Sequence, residues 1–131
     1  MTLHGNGHQT RSFCYVADLV DGLYRVMQSK NTIGQVYNIG NPTEYTITEL
    51  AQAVCQVAEI PENIVAIESP RQDDPARRCP NIDKIKAAIG WEPTTTLAVG
   101  LKSTFEFVMS TTHSSGSETA PSTSKTQSGE H

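Results

Sequence analysis

The stretch that decides the fold is QTRSFCYVADLVDG, residues 9–22. Its run from Phe13 to Val16 is typical of a short buried strand, and the cation Arg11 stands just before that run. A helix is expected to follow, with Asp18 in its first turn, where a carboxylate favours the helix N-terminus. A strand, a cation and a helix start therefore come together within one short stretch, and this arrangement suits an anionic ligand.

The rest of the chain alternates helical and strand-like patterns. Apolar residues recur at helical spacing in four segments, residues 18–29, 47–60, 82–89 and 98–109. Short strands are expected in two segments, residues 34–40 and 64–68. Thr46 and Glu49 fit a capping box, so the second helix should begin at Ile47. Asn81 can cap the third helix, and Gly90 can end it in the left-handed conformation. We predict an α/β fold, with a small mixed sheet packed by three or four helices.

The length of 131 residues is enough for one domain. Residues 110–131 contain seven serines and five threonines, and Ala120 is their only hydrophobic residue. Such a segment cannot bury enough apolar area to offset the entropy lost on ordering it. We therefore expect one domain over residues 1–109 and a disordered tail over residues 110–131.

Charge and cysteine content narrow the functional class. The net charge of −4 argues against a general nucleic-acid or membrane-surface binder, because both ligands need a basic face. Cys14, Cys55 and Cys79 leave an odd thiol and show no metal-ligand spacing, which favours a reducing compartment. His4 and His8 flank a glycine-containing turn that argues against a metal-binding helix. Without a long apolar run or a secretory signal, the sequence predicts a cytoplasmic protein with no metal site.

Four arginines are candidates for ligand binding: Arg11, Arg71, Arg77 and Arg78. A guanidinium group can hold diphosphate oxygens through paired hydrogen bonds. The polar segment 69–80 carries three of these arginines and is therefore a candidate ligand contact. In the alternative interpretation they are surface residues that pair with neighbouring acids, namely Glu68, Asp73 and Asp74.

The chain contains four motifs in a characteristic order: QTRSFCYVADLVDGL at 9–23, YNIGNPTE at 37–44, the segment from Asp73-Asp74-Pro75 to Pro80, and GWEP at 90–93. Their order and spacing resemble the extended short-chain dehydrogenase/reductase family of nucleotide-sugar epimerases, dehydratases and decarboxylases, and the resemblance covers residues 3 to about 109. The pattern is most similar to the UDP-glucuronate decarboxylases, which make UDP-xylose and carbon dioxide. The resemblance implies the C-terminal substrate-binding lobe of a Rossmann-type enzyme.

The resemblance also implies a set of substrate-binding residues. Arg11 would meet the diphosphate of a UDP-sugar, and Gln9 and Thr10 would line the same wall. Arg71 matches an arginine of the epimerases, whereas Arg78 matches the decarboxylase pattern better, so both stay candidates for a further phosphate contact. Cys14 stands where the family often has a polar residue, and we expect it to be packed and not reactive.

The catalytic parts of the family are missing from the sequence. By the resemblance, bound NAD oxidises the sugar C4 hydroxyl and a 4-keto intermediate follows, which requires a G-x-x-G-x-x-G loop and a Tyr-x-x-x-Lys pair. The chain has no such loop, and its four tyrosines are followed four residues later by Leu19, Gln28, Asn41 and Glu49. We therefore assign no catalytic residue. We expect that the N-terminal cofactor-binding half is absent, and that the chain alone is inactive and does not bind NAD.

Three functions stay open at this point. The first is that the chain is part of a UDP-glucuronate decarboxylase. The second is a non-catalytic module that binds a nucleotide sugar or acts as a regulator, and the third is part of a related epimerase or dehydratase. A UDP-sugar, bound weakly at best, is the expected ligand in each case. The expected protein partner is a second copy of the chain or an intact relative.

Overall fold

The structure is a computed structural model and describes residues 2–4, 6–62, 65–68, 75 and 77–114. Its strands are β1 (Thr2–His4), β2 (Thr10–Ser12), β3 (Glu44–Thr46), β4 (Val65–Glu68) and β5 (Arg77–Arg78). Its helices are α1 (Val16–Gln28), α2 (Ile47–Val57), α3 (Asp83–Ile89) and α4 (Leu97–Ser114), with one 3₁₀ turn at Lys30–Thr32. None of the helices in these ranges is long and apolar enough to cross a membrane.

The strands form two small sheets. Strand β1 pairs in parallel with β4, and β2 lies at the centre of a three-stranded sheet, antiparallel to β3 and parallel to β5. A small mixed sheet with four helices confirms the α/β prediction. Because β5 follows β2 by more than sixty residues of sequence, this sheet brings distant parts of the chain side by side.

Helix α1 packs on a buried tryptophan. Trp91 is only 1% exposed and forms a core cluster with Ile82 and Ile85, against which Val26 also packs. A Cβ atom added at Gly22 would lie 2.7 Å from Cε2 of Trp91, closer than real Cβ contacts. Glycine at this position therefore allows α1 to approach the indole ring.

Helix α2 begins as the sequence predicts. The Thr46 hydroxyl accepts from the Glu49 backbone N–H at 3.1 Å, and the Glu49 carboxylate accepts from the Thr46 N–H at 2.7 Å, which confirms the capping box. The hydrogen bonds that this carboxylate accepts from the Thr46 backbone N–H and from the Thr46 hydroxyl lower the pKa of Glu49. The Ile47 N–H donates to the carbonyl of Gln9 at 3.1 Å, so the helix start is fastened to the beginning of β2. The helix ends at Val57, three residues before the predicted end.

Two predicted strands are wrong. The segment 13–16 is not a strand, because β2 ends at Ser12 and Tyr15 already caps α1, which begins at Val16. The segment 34–40 has no strand partner in the described part of the chain. Its Val36 carbonyl instead accepts a hydrogen bond from Nζ of Lys84 at 2.9 Å. The alternating pattern was present, but a strand also needs a neighbouring backbone.

One of the two predicted caps of α3 is confirmed, because Gly90 ends the helix in the left-handed conformation with φ +67°. The Asn81 side chain accepts from the Asp83 N–H at 2.8 Å, but the N-cap residue is Ile82, so the predicted N-cap position is wrong by one residue. Helix α4 continues to Ser114, beyond the predicted domain boundary at residue 109. The helix therefore ends five residues later than predicted, and hydroxyl groups of Ser110, Thr111 and Thr112 donate to carbonyls of its preceding turn. The domain bounds stay a prediction. Residues 115–131 of the predicted tail lie outside the described residues.

Candidate functional site

Arg11 and Arg78 are direct neighbours in the mixed sheet. The parallel register of β2 and β5 sets Arg11 opposite Arg78, on strands about 4.8 Å apart. Residues that face each other across a ladder share one face of the sheet. Two guanidinium groups from distant parts of the sequence therefore project on the same side.

Both side chains line a cavity of about 400 Å³, which we call the arginine cavity. Leu19 and Ile39 give it an apolar side, and Gly40 and Asn41 lie on its rim. Arg11 is half-buried, while Arg78 is exposed. The arginine cavity thus combines two cations with an apolar wall, a composition suited to an anionic ligand that also carries a ring.

The Arg11 side chain is held in place by its own strand. Its Nη1 donates to the Thr10 carbonyl at 2.7 Å, which uses one of the five donors of the guanidinium group. The Arg78 guanidinium has no partner within the described ranges. Two cations on one face of a sheet repel each other, and an anion bound between them would offset this repulsion.

The opposite face of the same sheet carries a closed polar network. Nε of Arg77 donates to the Glu44 carboxylate at 2.8 Å, and the Thr10 hydroxyl donates to the same carboxylate at 2.7 Å. The hydrogen bonds from Arg77, followed by that from Thr10, lower the pKa of Glu44 to about 2. Arg77 is therefore a paired surface arginine, as the alternative interpretation of the sequence proposed, although its partner is Glu44 and not one of the acids named there.

A larger cavity of about 610 Å³ is lined by Arg77, Lys86 and Glu92, among others. Its cations are paired, Arg77 with Glu44 and Lys86 with Glu92. An anion would have to displace a carboxylate to bind there. The arginine cavity is the better candidate in spite of its smaller volume.

The predicted site residues are distributed as follows. The structure brings Arg11 and Arg78 together. The hydroxyl of Thr10 lies on the other face of the sheet, bound to Glu44. Gln9 precedes β2, and its carbonyl supports the start of α2. Arg71 lies outside the described residues. The binding roles of all five stay predictions.

Sequence reasoning missed the rim of the arginine cavity. A Cβ atom added at Gly40 would lie 2.9 Å from Cγ of Pro80, so only glycine allows these two segments to approach so closely. Cys79 also holds these two segments together, because its Sγ donates to the Pro42 carbonyl at 3.3 Å. The glycine before Asn41 and Pro42 was a signal for close backbone approach, but its partner could not be read from the sequence.

Cys14 and Asp18 have structural surroundings. Burial, and to a smaller extent the Asp18 carboxylate, raise the pKa of the Cys14 thiol, which supports the prediction that it is not reactive. The Asp18 carboxylate accepts from the Thr95 N–H at 2.8 Å and from the Thr94 hydroxyl. Burial alone would raise the pKa of Asp18, but these hydrogen bonds outweigh it and lower the pKa. Asp18 therefore ties α1 to the segment before α4.

The described residues do not form a dinucleotide-binding site of the Rossmann type. A dinucleotide site needs a glycine-rich turn between a strand and a helix, with free N–H groups at the helix start. Here α1 follows β2 without a glycine, and side-chain oxygens of Thr46, Asn81 and Thr96 accept from the first turns of the other helices. Within the same ranges no group of three or more His, Cys, Asp or Glu could hold a metal ion.

The sequence profile of the family described as GDP-mannose 4,6 dehydratase matches residues 1–104. The chain belongs to this family. One relative is UDP-glucuronic acid decarboxylase 3 of Arabidopsis thaliana, 46% identical over 101 residues that cover 77% of this chain and 29% of that protein. Another is UDP-glucuronic acid decarboxylase 1 of Danio rerio, 43% identical over 107 residues, or 82% of this chain and 25% of that protein. The chain thus spans less than a third of these relatives.

Solved members of nucleotide-sugar enzyme families share the fold. UDP-glucose 4-epimerase of Thermotoga maritima, solved with UDP-glucose, matches with a TM-score of 0.78 and 28% identity. UDP-glucuronic acid 4-epimerase of Bacillus cereus, solved with UDP-glucuronic acid and NAD, matches with a TM-score of 0.75 and 25% identity. The matches cover 86% and 84% of this chain and 35% of each solved chain. Family membership and the Rossmann-type relationship inferred from the motifs are confirmed.

Proposed function

We propose that this chain supplies the substrate-binding lobe of a UDP-glucuronate decarboxylase and that Arg11 and Arg78 hold the diphosphate of UDP-glucuronate. The observation that carries the proposal is the register of β2 and β5, which sets the two guanidinium groups side by side over one cavity. The names of the relatives described above support the choice of substrate.

The chemistry of the pair suits a diphosphate. Each guanidinium can form paired hydrogen bonds with phosphate oxygens, and a charge-assisted hydrogen bond contributes about 1.5–3 kcal/mol. We assign the second phosphate contact to Arg78, because it adjoins Arg11 in the sheet. Gln9, two residues before Arg11, would extend the same wall. Thr10 would contribute through its backbone carbonyl, which accepts a hydrogen bond from the Arg11 side chain. Arg71 stays a candidate for a more distant contact.

The decarboxylation itself needs groups that this sequence does not contain. Conversion of UDP-glucuronate to UDP-xylose and carbon dioxide would require NAD and a Tyr-x-x-x-Lys pair. The described residues do not form a binding site for NAD. We therefore expect the chain alone to bind and orient the sugar nucleotide without turning it over. We also propose a cytoplasmic location, on the cysteine content described above.

The same observation favours one second candidate. A lobe that retains two phosphate-binding arginines but no catalytic pair would act as a module that captures or senses a UDP-sugar. The two proposals share the arginine cavity. They differ in whether activity appears when the chain is joined to a cofactor-binding half from a decarboxylase, which the enzyme proposal requires.

Calorimetric titration with UDP-glucuronate, UDP and GDP-mannose tests the ligand assignment. Arg11→Ala and Arg78→Ala should each weaken binding of UDP-glucuronate by about tenfold or more, since each removes at least one charge-assisted contact. Arg25→Ala is the matched control, because Arg25 is an exposed arginine that pairs with Asp21 on α1, outside the arginine cavity. Circular dichroism should show that all variants are folded.

Four results would count against these proposals. If the wild type and both variants bind UDP-glucuronate with equal affinity, Arg11 and Arg78 do not contact the diphosphate. If Arg25→Ala loses as much affinity as they do, the effect comes from the net charge of the protein and not from a specific contact. Tighter binding of GDP-mannose than of UDP-glucuronate would refute the uridine nucleotide. If the folded wild-type chain binds none of the three ligands, the arginine cavity is not a sufficient site and the sensing module is excluded.

A further inference from the structure

Two of the three cysteines line the arginine cavity. Cys14 and Cys79 both contribute to its wall and are partly exposed, whereas Cys55 is only 1% exposed. The proposed function uses none of these thiols. Cysteines that react are partly exposed and lie beside cations, whereas buried structural cysteines are inert. The two cavity thiols therefore differ from Cys55 in what they can do.

The charges around the two cavity thiols are opposite. Burial, and to a smaller extent the Asp18 carboxylate, raise the pKa of the Cys14 thiol. Cys79 instead follows Arg78 in the sequence and interacts with the Arg77 guanidinium. The pKa of Arg77 is raised mainly by its carboxylate partner, and the Cys79 thiol adds to this effect. Cys79 therefore has cations beside it, and Cys14 has a carboxylate.

The arginine cavity is positively charged on the side that Cys79 lines. Within the described part of the chain, its charged lining residues are Arg11 and Arg78. Cys79 also borders the larger cavity of about 610 Å³, but Arg77 and Lys86 on that side are paired with carboxylates. An anionic reagent would therefore be attracted to Cys79 from the arginine cavity, because two guanidinium groups raise its local concentration there.

We propose that Cys79 is a modification site for small anionic disulfides, and that the mixed disulfide formed there blocks the arginine cavity. The blocking rests on the proposed function, because it requires the sugar nucleotide to occupy that cavity. In the reaction, the Cys79 sulfur attacks as a thiolate, the S–S bond of the reagent breaks, and a new S–S bond joins one half of the reagent to the protein. The other half leaves as a thiolate and takes up the proton that Cys79 lost, so one thiol is oxidised and one is formed.

The attached group would act on the cavity in two ways. It would fill part of the volume of about 400 Å³ and place carboxylates beside Arg11 and Arg78, where the diphosphate would bind. It would also remove the S–H group that donates to the Pro42 carbonyl at 3.3 Å, and so weaken the contact between the two segments of the rim. Both effects reduce the affinity for an anionic ligand.

Disulfides of opposite charge test the modification site. The folded full chain is treated with glutathione disulfide, which is anionic, or with cystamine, which is cationic, and peptide mass spectrometry identifies the modified cysteine. Each rate is divided by the rate of the neutral model thiol N-acetylcysteinamide, which corrects for the reactivity of the reagent. Cys79 should react faster with glutathione disulfide by about tenfold, and about 1 M salt should abolish this preference. Cys14 and Cys55 should react more slowly than Cys79.

Two arginine variants separate the cavity from the net charge of the protein. Arg11 is distant from Cys79 in sequence but lines the same cavity, so Arg11→Gln should slow the reaction of Cys79 with glutathione disulfide by about threefold or more. Arg25→Gln removes the same charge from α1 outside the cavity, where Arg25 pairs with Asp21, and should leave the rate unchanged.

Calorimetric titration with UDP-glucuronate before and after modification tests the blocking. Binding should be lost in the modified chain and should return after reduction with dithiothreitol. Bound UDP-glucuronate should in turn slow the modification of Cys79. In Cys79→Ser, whose hydroxyl can also donate to the Pro42 carbonyl, treatment with glutathione disulfide should leave the affinity as it was before treatment.

Four results would each overturn the modification site: an unreactive Cys79, equal corrected rates with the two disulfides, a rate that Arg11→Gln leaves unchanged, or reaction at Cys55 as fast as at Cys79. If the chain binds UDP-glucuronate equally well before and after modification, the blocking is wrong and the proposed function stands. If the unmodified chain does not bind UDP-glucuronate, the proposed function and the blocking both fail, whereas the charge preference of Cys79 still decides the modification site.

Discussion

Replacement of Gly22 by alanine should destabilise the fold through one buried contact. The added methyl group would lie 2.7 Å from Cε2 of Trp91 and 3.0 Å from both Cζ2 and Nε1. Three atoms of a rigid ring that is 1% exposed would therefore have to move by several tenths of an ångström. Overpacking of this kind costs about 1–3 kcal/mol, and the severity of the contact favours the upper end.

The gain in helix propensity offsets part of this cost. Alanine is favoured over glycine in a helix by about 1 kcal/mol, so the net loss should be about 2 kcal/mol. For a domain of this size, that corresponds to a fall in melting temperature of roughly 8 °C. Thermal and urea denaturation followed by circular dichroism would measure both quantities.

Two controls separate the indole contact from a general effect of glycine replacement. Gly100→Ala in α4 introduces a Cβ at 3.2 Å from Cδ2 of the half-buried Tyr15, a contact that a small side-chain shift can relieve. Its stability should stay within about 1 kcal/mol of the wild type. In a Trp91→Phe background, which lacks the indole nitrogen and the fused second ring, Gly22→Ala should cost much less. A Gly22→Ala protein as stable as the wild type, or an equal cost in both backgrounds, would refute the packing argument.

Two further predictions concern the polar contacts of β3 and α2. Because Arg77 holds the pKa of Glu44 near 2, below its value in the unfolded chain, this carboxylate stabilises the fold above about pH 4.5, and the contribution is lost as the pH falls towards 2. The ¹³C carboxyl shift of Glu44 should titrate in that range, and Glu44→Gln should flatten the acid limb of the stability curve; a midpoint near 4.5 would contradict the ion pair. Thr46→Ala should reduce the free energy of unfolding by about 1 kcal/mol, because it removes the hydroxyl that accepts from Glu49 N–H. Thr43→Ala is the matched control, and equal stability of the two variants would exclude a contribution from the cap.

Features fixed by neighbours in sequence were predictable. The capping box at Thr46 and Glu49 and the left-handed end of α3 at Gly90 each depend on residues within one turn, so their residue types were sufficient. The failed strand at residues 34–40 is the opposite case. Alternating side chains describe one strand well, but a strand forms only against a second backbone, which the described residues do not supply there.

The candidate site was predictable in composition but not in geometry. Motif resemblance selected Arg11 and Arg78, yet their adjacency depends on a parallel register between strands more than sixty residues apart. The pairing of Arg77 with Glu44 has the same origin, since no local pattern connects residues 44 and 77. The sequence therefore contained the candidate ligand-binding groups, whereas the sheet decides which of them share a face.

The two adjacent arginines of β5, Arg77 and Arg78, have different roles: Arg77 pairs with Glu44, and Arg78 is a candidate for ligand binding. Successive side chains of a strand point to opposite faces, so a slip of one residue in β5 would exchange the two arginines. Arg77 is largely exposed, and a surface ion pair contributes little to stability. A slipped register would pair Glu44 with Arg78 and would leave Arg77 beside Arg11, so an arginine satisfies the carboxylate in either register. The Glu44–Arg77 contact therefore does not set the register by itself. Glu44→Gln should leave the affinity for UDP-glucuronate nearly unchanged, whereas a clear loss of affinity would show that this contact positions Arg78.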